Sequence, residues 1–241
     1  MFIGRQEQFA VDADDENESL YLRYLQKSPK DLHEHQGDYY VVSFSAVGDV
    51  LSQWQGYCPK DGGYSIGFSP TDLREAAKEE VSLIKAPLRL VKCEYEGEEQ
   101  FRLVDEVIRN SIEGFRYMNS LNDDEIGRFL RGEISDEPSS LTGLRADLEK
   151  AMDTLTPVLK HSAYAHEQEW RLVSPRIIDG DPCIKFRPGR ISVFPHVLFH
   201  LPSIEECIVG PCVNQALSAR AAAQVTEVPI ARRSRIPFRS L

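Results

Sequence analysis

Apolar positions along the chain change period several times, and each change predicts an element. Leu20, Tyr21, Tyr24 and Leu25 recur at helical spacing, which predicts a short helix over residues 19–26. Residues 39–45, Tyr-Tyr-Val-Val-Ser-Phe-Ser, are aromatic and β-branched and read as a buried strand. A short helix ending at Trp54, capped by a Ser or Asp, leads to a turn at residues 59–63 and a strand at residues 64–68. Ser69-Pro70-Thr71-Asp72 then opens another helix, and residues 88–95 form a strand. The central third is helical. Leu103, Val104, Val107, Ile108, Ile112 and Phe115 make one stripe over residues 101–117, and Leu144, Leu148, Met152 and Leu155 make a second over 141–159. Between these two helices, residues 135–140 read as a loop. Strands return at 169–174, 183–186, 205–209 and 224–230, with a helix at 214–222. The order predicts an acidic segment, residues 1–38, carrying a short helix. A single α+β domain over 39–241 follows, its mixed or antiparallel sheet split by a helical insert at 99–160.

Composition narrows the function classes. With 41 % hydrophobic and 27 % charged residues among 241, the chain is ordinary for a globular protein. Its net charge of -10 opposes broad binding to nucleic-acid backbones. The C-terminal Arg232, Arg233, Arg235 and Arg239 go against that balance. They form either a phosphate-binding tail or partners for the protein's own carboxylates. No apolar run reaches the length of about 18 residues needed to span a membrane, and the N-terminus has no signal-peptide pattern. Five scattered cysteines without a C-x-x-C pair fit a reducing, cytoplasmic setting and neither a disulfide framework nor a zinc site. Oligomeric state is not readable.

P-loop, dinucleotide, serine-hydrolase and zinc-protease motifs are absent. The candidate chemistry is Glu167-Gln168-Glu169-Trp170-Arg171. On an extended chain Glu167, Glu169 and Arg171 share a face. Two carboxylates so close are either a catalytic device or part of a Glu–Glu–Arg ladder that holds the sheet. Ser43 and Ser45 flank Phe44 on a strand and are either cleft-lining hydroxyls or packed ones. Trp54 and Tyr57, at helical spacing, fit packing as well as ligand stacking. His161 and His166 lack tight ligand spacing, so no metal is expected.

Four blocks occur in order. They are Ser43-Phe44-Ser45 through Asp49, Trp54 and Tyr57 to Gly63-Tyr64-Ser65-Ile66-Gly67-Phe68; Lys160-His161 with Glu167-x-Glu169-Trp170-Arg171; Ile208-Val209-Gly210-Pro211; and Ser234-Arg235-Ile236-Pro237-Phe238-Arg239. Together they resemble the bacterial family known as domain of unknown function 2971, over roughly residues 40–240. The opening Tyr-Lys-Tyr-like strand and Asn-Asp-Pro turn of that family are missing from residues 1–39.

The pattern also resembles ADP-ribosyltransferases, which carry Ser-x-Ser on one strand and Glu-x-Glu on a late one. That likeness implies an ADP-ribosyltransferase-like fold. It also implies an enzyme or effector, in a phage-defence or toxin setting, that cleaves the nicotinamide–ribose bond of NAD and passes ADP-ribose to an unidentified protein, nucleic-acid or small-molecule acceptor. Glu169 then stabilises the ribose cation and Glu167 activates the acceptor. Ser43, Ser45, Tyr64, Trp54 and Arg171 then bind the dinucleotide. A non-catalytic interaction module, and a magnesium-dependent nucleic-acid-processing enzyme, are the competing expectations.

Overall fold

The computed structural model describes residues 15–27, 37–59, 62–78, 80–81, 86–121, 124–189, 191–225 and 230–237. The chain divides into two compact units, one of residues 1–37 and 94–162, the other of residues 38–93 and 163–241. By sequence, the first unit carries 24 acidic and 12 basic residues, a net charge of -12. The second carries 14 acidic and 16 basic residues, +2, so the two account for the total of -10.

The first unit is helical: α1 (Glu16–Lys27), α4 (Gly97–Leu121), α5 (Glu125–Leu130) and α6 (Ser139–Leu155). The second unit supplies α2 (Leu51–Tyr57) and α3 (Pro70–Ala76), which lie between them in the sequence. Within the first unit, the stripe Val104, Ile108, Ile112 and Phe115 of α4 is buried as its spacing requires. Tyr21 of α1 stacks on Phe115 with ring centroids 4.6 Å apart, in a cluster with Leu25, Ile126, Leu141, Leu144 and Leu148. Glu18, also buried, is tied to Arg116. Buried Gln100 closes the base of the unit, its side-chain amide donating to the carbonyls of Glu94 and Lys160 at 2.6 Å each. The helix predicted over 141–159 ends at Leu155, and Pro157 sits in a 3-10 turn at Thr156–Val158. A proline there cannot donate the next helical hydrogen bond. The short α5 carries too few apolar residues to show as a stripe.

The strands of the second unit are β1 (Val41–Ser45), β2 (Tyr64–Phe68), β3 (Glu80–Val81), β4 (Ala86–Pro87), β5 (Arg89–Lys92), β6 (Glu169–Val173), β7 (Lys185–Pro188), β8 (Val193–His196), β9 (Ile204–Val209) and β10 (Ile230–Arg233). They build two three-stranded sheets, and β3–β4 and β7–β8 form separate hairpins. The first sheet has the order β1-β6-β5 and is antiparallel throughout, so strands before and after the insert pair as expected. The second has the order β10-β9-β2 and is mixed, with β10 parallel to β9. Val42, Phe44, Leu90 and Leu172 pack one face of the first sheet against Leu88, Ala77 and Phe199. Phe44 meets Phe68 of the second sheet edge-to-face, 6.0 Å between centroids.

Three expectations need correction. The helix near Trp54 runs on to Tyr57 and is preceded by Val50, with no side-chain cap. Of the strand expected at 224–230, residues 224–225 belong to the alanine-rich α7 (Gln215–Val225), residues 226–229 lie outside the described residues, and Ile230 is in β10. Arg232 and Arg233 therefore belong to a strand, and Arg239 lies outside the described residues. Among the described residues no helix is long and apolar enough to cross a membrane.

Candidate functional site

The register of β1 against β6 sets Ser45 opposite Glu169, Phe44 opposite Trp170 and Ser43 opposite Arg171. Directly opposed residues share a face. Ser43, Ser45, Glu169 and Arg171 are therefore cofacial, on the side away from the Phe44–Leu172 core. Ser43 is exposed and Ser45 half-buried. Glu169 is only 5 % exposed. Arg171 grips it edge-on, Nε donating to Oε1 at 2.9 Å and Nη2 to Oε2 at 3.3 Å.

Glu167 does not continue this strand. It ends a 3-10 turn, Ser162–Glu167, and Gln168 takes a left-handed conformation with φ of 44°. The extended alternation that would align Glu167 with Glu169 is broken at that residue. Such a conformation costs a non-glycine residue about 1–2 kcal/mol. The end of β1 helps hold it: the Ser45 hydroxyl donates to the Glu167 carbonyl at 2.7 Å, and the Ala46 N–H to the Gln168 carbonyl at 3.0 Å. Both carboxylates are buried, at 8 % and 5 % exposure.

A second constellation centres on Asp49, in the loop after β1. Its Oδ1 accepts the Trp54 indole N–H at 2.8 Å and the Ser234 hydroxyl at 2.5 Å, and its Oδ2 accepts the Arg235 backbone N–H at 2.8 Å. Arg232 approaches Oδ2 at 3.9 Å and donates through Nε to Glu206 at 2.5 Å. The arginine-rich C-terminal stretch thus pairs, in part, with the protein's own carboxylates. Burial pushes the Asp49 carboxyl up. Hydrogen bonds from Ser234, Arg235 and Trp54, with the Arg232 charge, outweigh it and hold the group below the usual carboxylate range. Asp49, Gly210 and Ser234 stand in three different sequence blocks, and nothing in the sequence joins them into one unit. Their only signal was an ordered recurrence, with no spacing to connect them.

The proposed dinucleotide-binding residues separate accordingly. Ser43, Ser45 and Arg171 lie with Glu169 on the first sheet, Tyr64 on the second, and Trp54 on α2. The Tyr64 ring is 56 % exposed, whereas Trp54 is 8 % exposed and covered. His161 and His166 are exposed. Among the described residues no group of three or more His, Cys, Asp or Glu is placed to hold a metal ion. None of the five cysteines is in a disulfide.

Gly210 shows how tight the Asp49 region is. Its N–H donates to the Gly63 carbonyl at 2.8 Å, and a Cβ on it would lie 2.8 Å from the Trp54 ring and 3.0 Å from that carbonyl. Neither neighbour can give way, since one is backbone and the other a buried indole pinned at its nitrogen. Gly210→Ala is expected to destabilise the protein by about 1–3 kcal/mol. Urea unfolding followed by tryptophan fluorescence measures this; an unchanged midpoint would show that the indole is free to shift.

No curated protein and no solved structure matches the chain. Residues 53–172 match the model of the family described as "Protein of unknown function (DUF2971)".

Proposed function

We propose that this chain is an ADP-ribosyltransferase-like enzyme that cleaves the nicotinamide–ribose bond of NAD on the polar face of β1 and β6. One observation carries the reading: the register that sets Ser45 opposite Glu169 and Ser43 opposite Arg171. Cleavage sends the bonding electron pair to nicotinamide and leaves positive charge on the ribose. A buried carboxylate that accepts a ribose hydroxyl opposes that charge in a low-dielectric setting, which is the role of Glu169. Glu167, at the end of the adjoining turn, takes the acceptor's proton. Arg171 offers a guanidinium to the pyrophosphate. The unit that holds this face is net +2, so its own charge does not oppose an anionic dinucleotide.

Glu169 and Arg171 closing on each other favours a second reading, a non-catalytic interaction module in which the pair only holds the sheet.

Thermal unfolding with NAD separates the two. On the enzymatic reading, NAD at a hundredfold excess over Kd raises Tm by about 5–11 °C, and free nicotinamide accumulates. Saturating NAD that gives neither a shift nor nicotinamide would leave the interaction module standing.

A further inference from the structure

We propose that the β7–β8 hairpin is an interfacial anchor that inserts into the headgroup region of an anionic lipid bilayer. Every described residue from Lys185 to Pro195 is exposed. Phe186 is 69 % exposed, Ile191 95 %, Val193 59 % and Phe194 50 %, and Leu198 just beyond is 73 %. Several large apolar side chains exposed together on one hairpin mark an interaction site.

The register decides the kind of partner. Phe186 pairs with Pro195, and Pro188 with Val193, on one face; Arg187 pairs with Phe194, and Lys185 with His196, on the other. An aromatic ring thus stands on each face, and Ile191 stands in the turn between the strands. That turn is tight: the Gly189 N–H donates to the Ser192 carbonyl at 2.7 Å, and Gly189 packs against the Phe194 ring. A flat protein surface covers one face of a hairpin, whereas the boundary region of a bilayer surrounds both. Extension of the hairpin by another strand is opposed by Pro188, Pro195, Lys185 and Arg187, residues that blunt sheet edges.

Charge selects an anionic surface. Between Asp181 and Glu205 the sequence has no carboxylate but has Lys185, Arg187 and Arg190. Cationic side chains beside apolar ones can keep their heads at lipid phosphates while their stems lie in the interface. The unit that carries the hairpin has a net charge of +2 by sequence. Interfacial insertion requires no spanning helix.

Flotation of the full chain with vesicles tests this. The protein is expected to float with vesicles of phosphatidylcholine and phosphatidylserine, and not with phosphatidylcholine alone at equal lipid. Ile191→Asp, and separately the pair Phe186→Ser and Phe194→Ser, are expected to lower that partition by at least about tenfold. Far-ultraviolet circular dichroism should stay unchanged, because these side chains are exposed. The proposal is overturned if the wild type does not float with the anionic vesicles, or if the variants float as well as it does. It is equally overturned if the variants alter only the protein's mass in lipid-free sedimentation, which would make the hairpin a contact between copies. Retention of single-stranded DNA in place of vesicles, with the same dependence on Ile191, would also overturn it.

Discussion

Glu169→Gln is expected to lower nicotinamide release from NAD by about two to three orders of magnitude, the usual loss when a group aimed at developing charge is removed. The same substitution is expected to cost about 2–3 kcal/mol of stability. The carboxylate is 5 % exposed and holds Arg171 through two hydrogen bonds. Removing one partner of a buried pair leaves the other charge uncompensated, and the solvent access of Arg171, with its side chain 20 % exposed, softens that penalty. The two losses separate in a double variant. Replacing Glu169 with Leu and Arg171 with Met removes both charges together, and is expected to recover most of the stability while activity stays lost. Denaturant unfolding and a nicotinamide assay on the same preparations give both readouts. A Glu169→Gln protein that releases nicotinamide at the wild-type rate would end the catalytic assignment. Full recovery of turnover in the double variant would do the same.

The long elements were legible because their periodicity is redundant. Four buried positions on α4 at i+3 or i+4 spacing leave no alternative to a helix, and Val42, Phe44 and Leu172 announce the core side of the first sheet. The pairing across the insert was legible from the order strands, helices, strands. What the sequence concealed depends on backbone and distant partners. Nothing in Gln168 signals a left-handed residue, yet that one residue decides that Glu167 and Glu169 do not lie on a common strand face. The division into two sheets was equally hidden, because β2 finds its partner β9 more than a hundred residues later.

The candidate site was legible in its residue types more than in its arrangement. Ser43, Ser45, Glu169 and Arg171 do come to one face, as the extended reading of each segment requires. Trp54 and Tyr64 do not join them there. Trp54 is held by Asp49, a residue whose importance comes from Ser234 and Arg235, some 185 positions away. The ordered blocks thus resolve into two groups in space, the β1–β6 face and the Asp49 cluster. The loop of residues 46–48 leads from one to the other, with Gly48 set against Ile208 and Ser65 of the second sheet.

Asp49→Ala is expected to be the most damaging single substitution in the second unit for stability, at about 3–5 kcal/mol. It leaves the covered Trp54 indole N–H without its acceptor, and the same carboxylate anchors the Ser234 hydroxyl and the Arg235 N–H. Arg232 loses a counter-charge but keeps Glu206. Asp49→Asn, which retains one acceptor oxygen, should cost less. A dependence on pH follows with a definite sign. The folded-state pKa of Asp49 is depressed, so its stabilising contribution is complete above the unfolded carboxylate value of about 4. That contribution is lost as pH falls from there through the folded value. The wild type should therefore lose more stability than Asp49→Asn between neutral pH and that acidic window, and the two unfolding midpoints should converge. Parallel acid-unfolding curves for the two proteins would show that Asp49 carries no net charge–charge or hydrogen-bonding advantage in the folded state. The convergence also isolates this node from the β1–β6 face, because Asp49→Asn leaves Ser43, Ser45, Glu169 and Arg171 in their register.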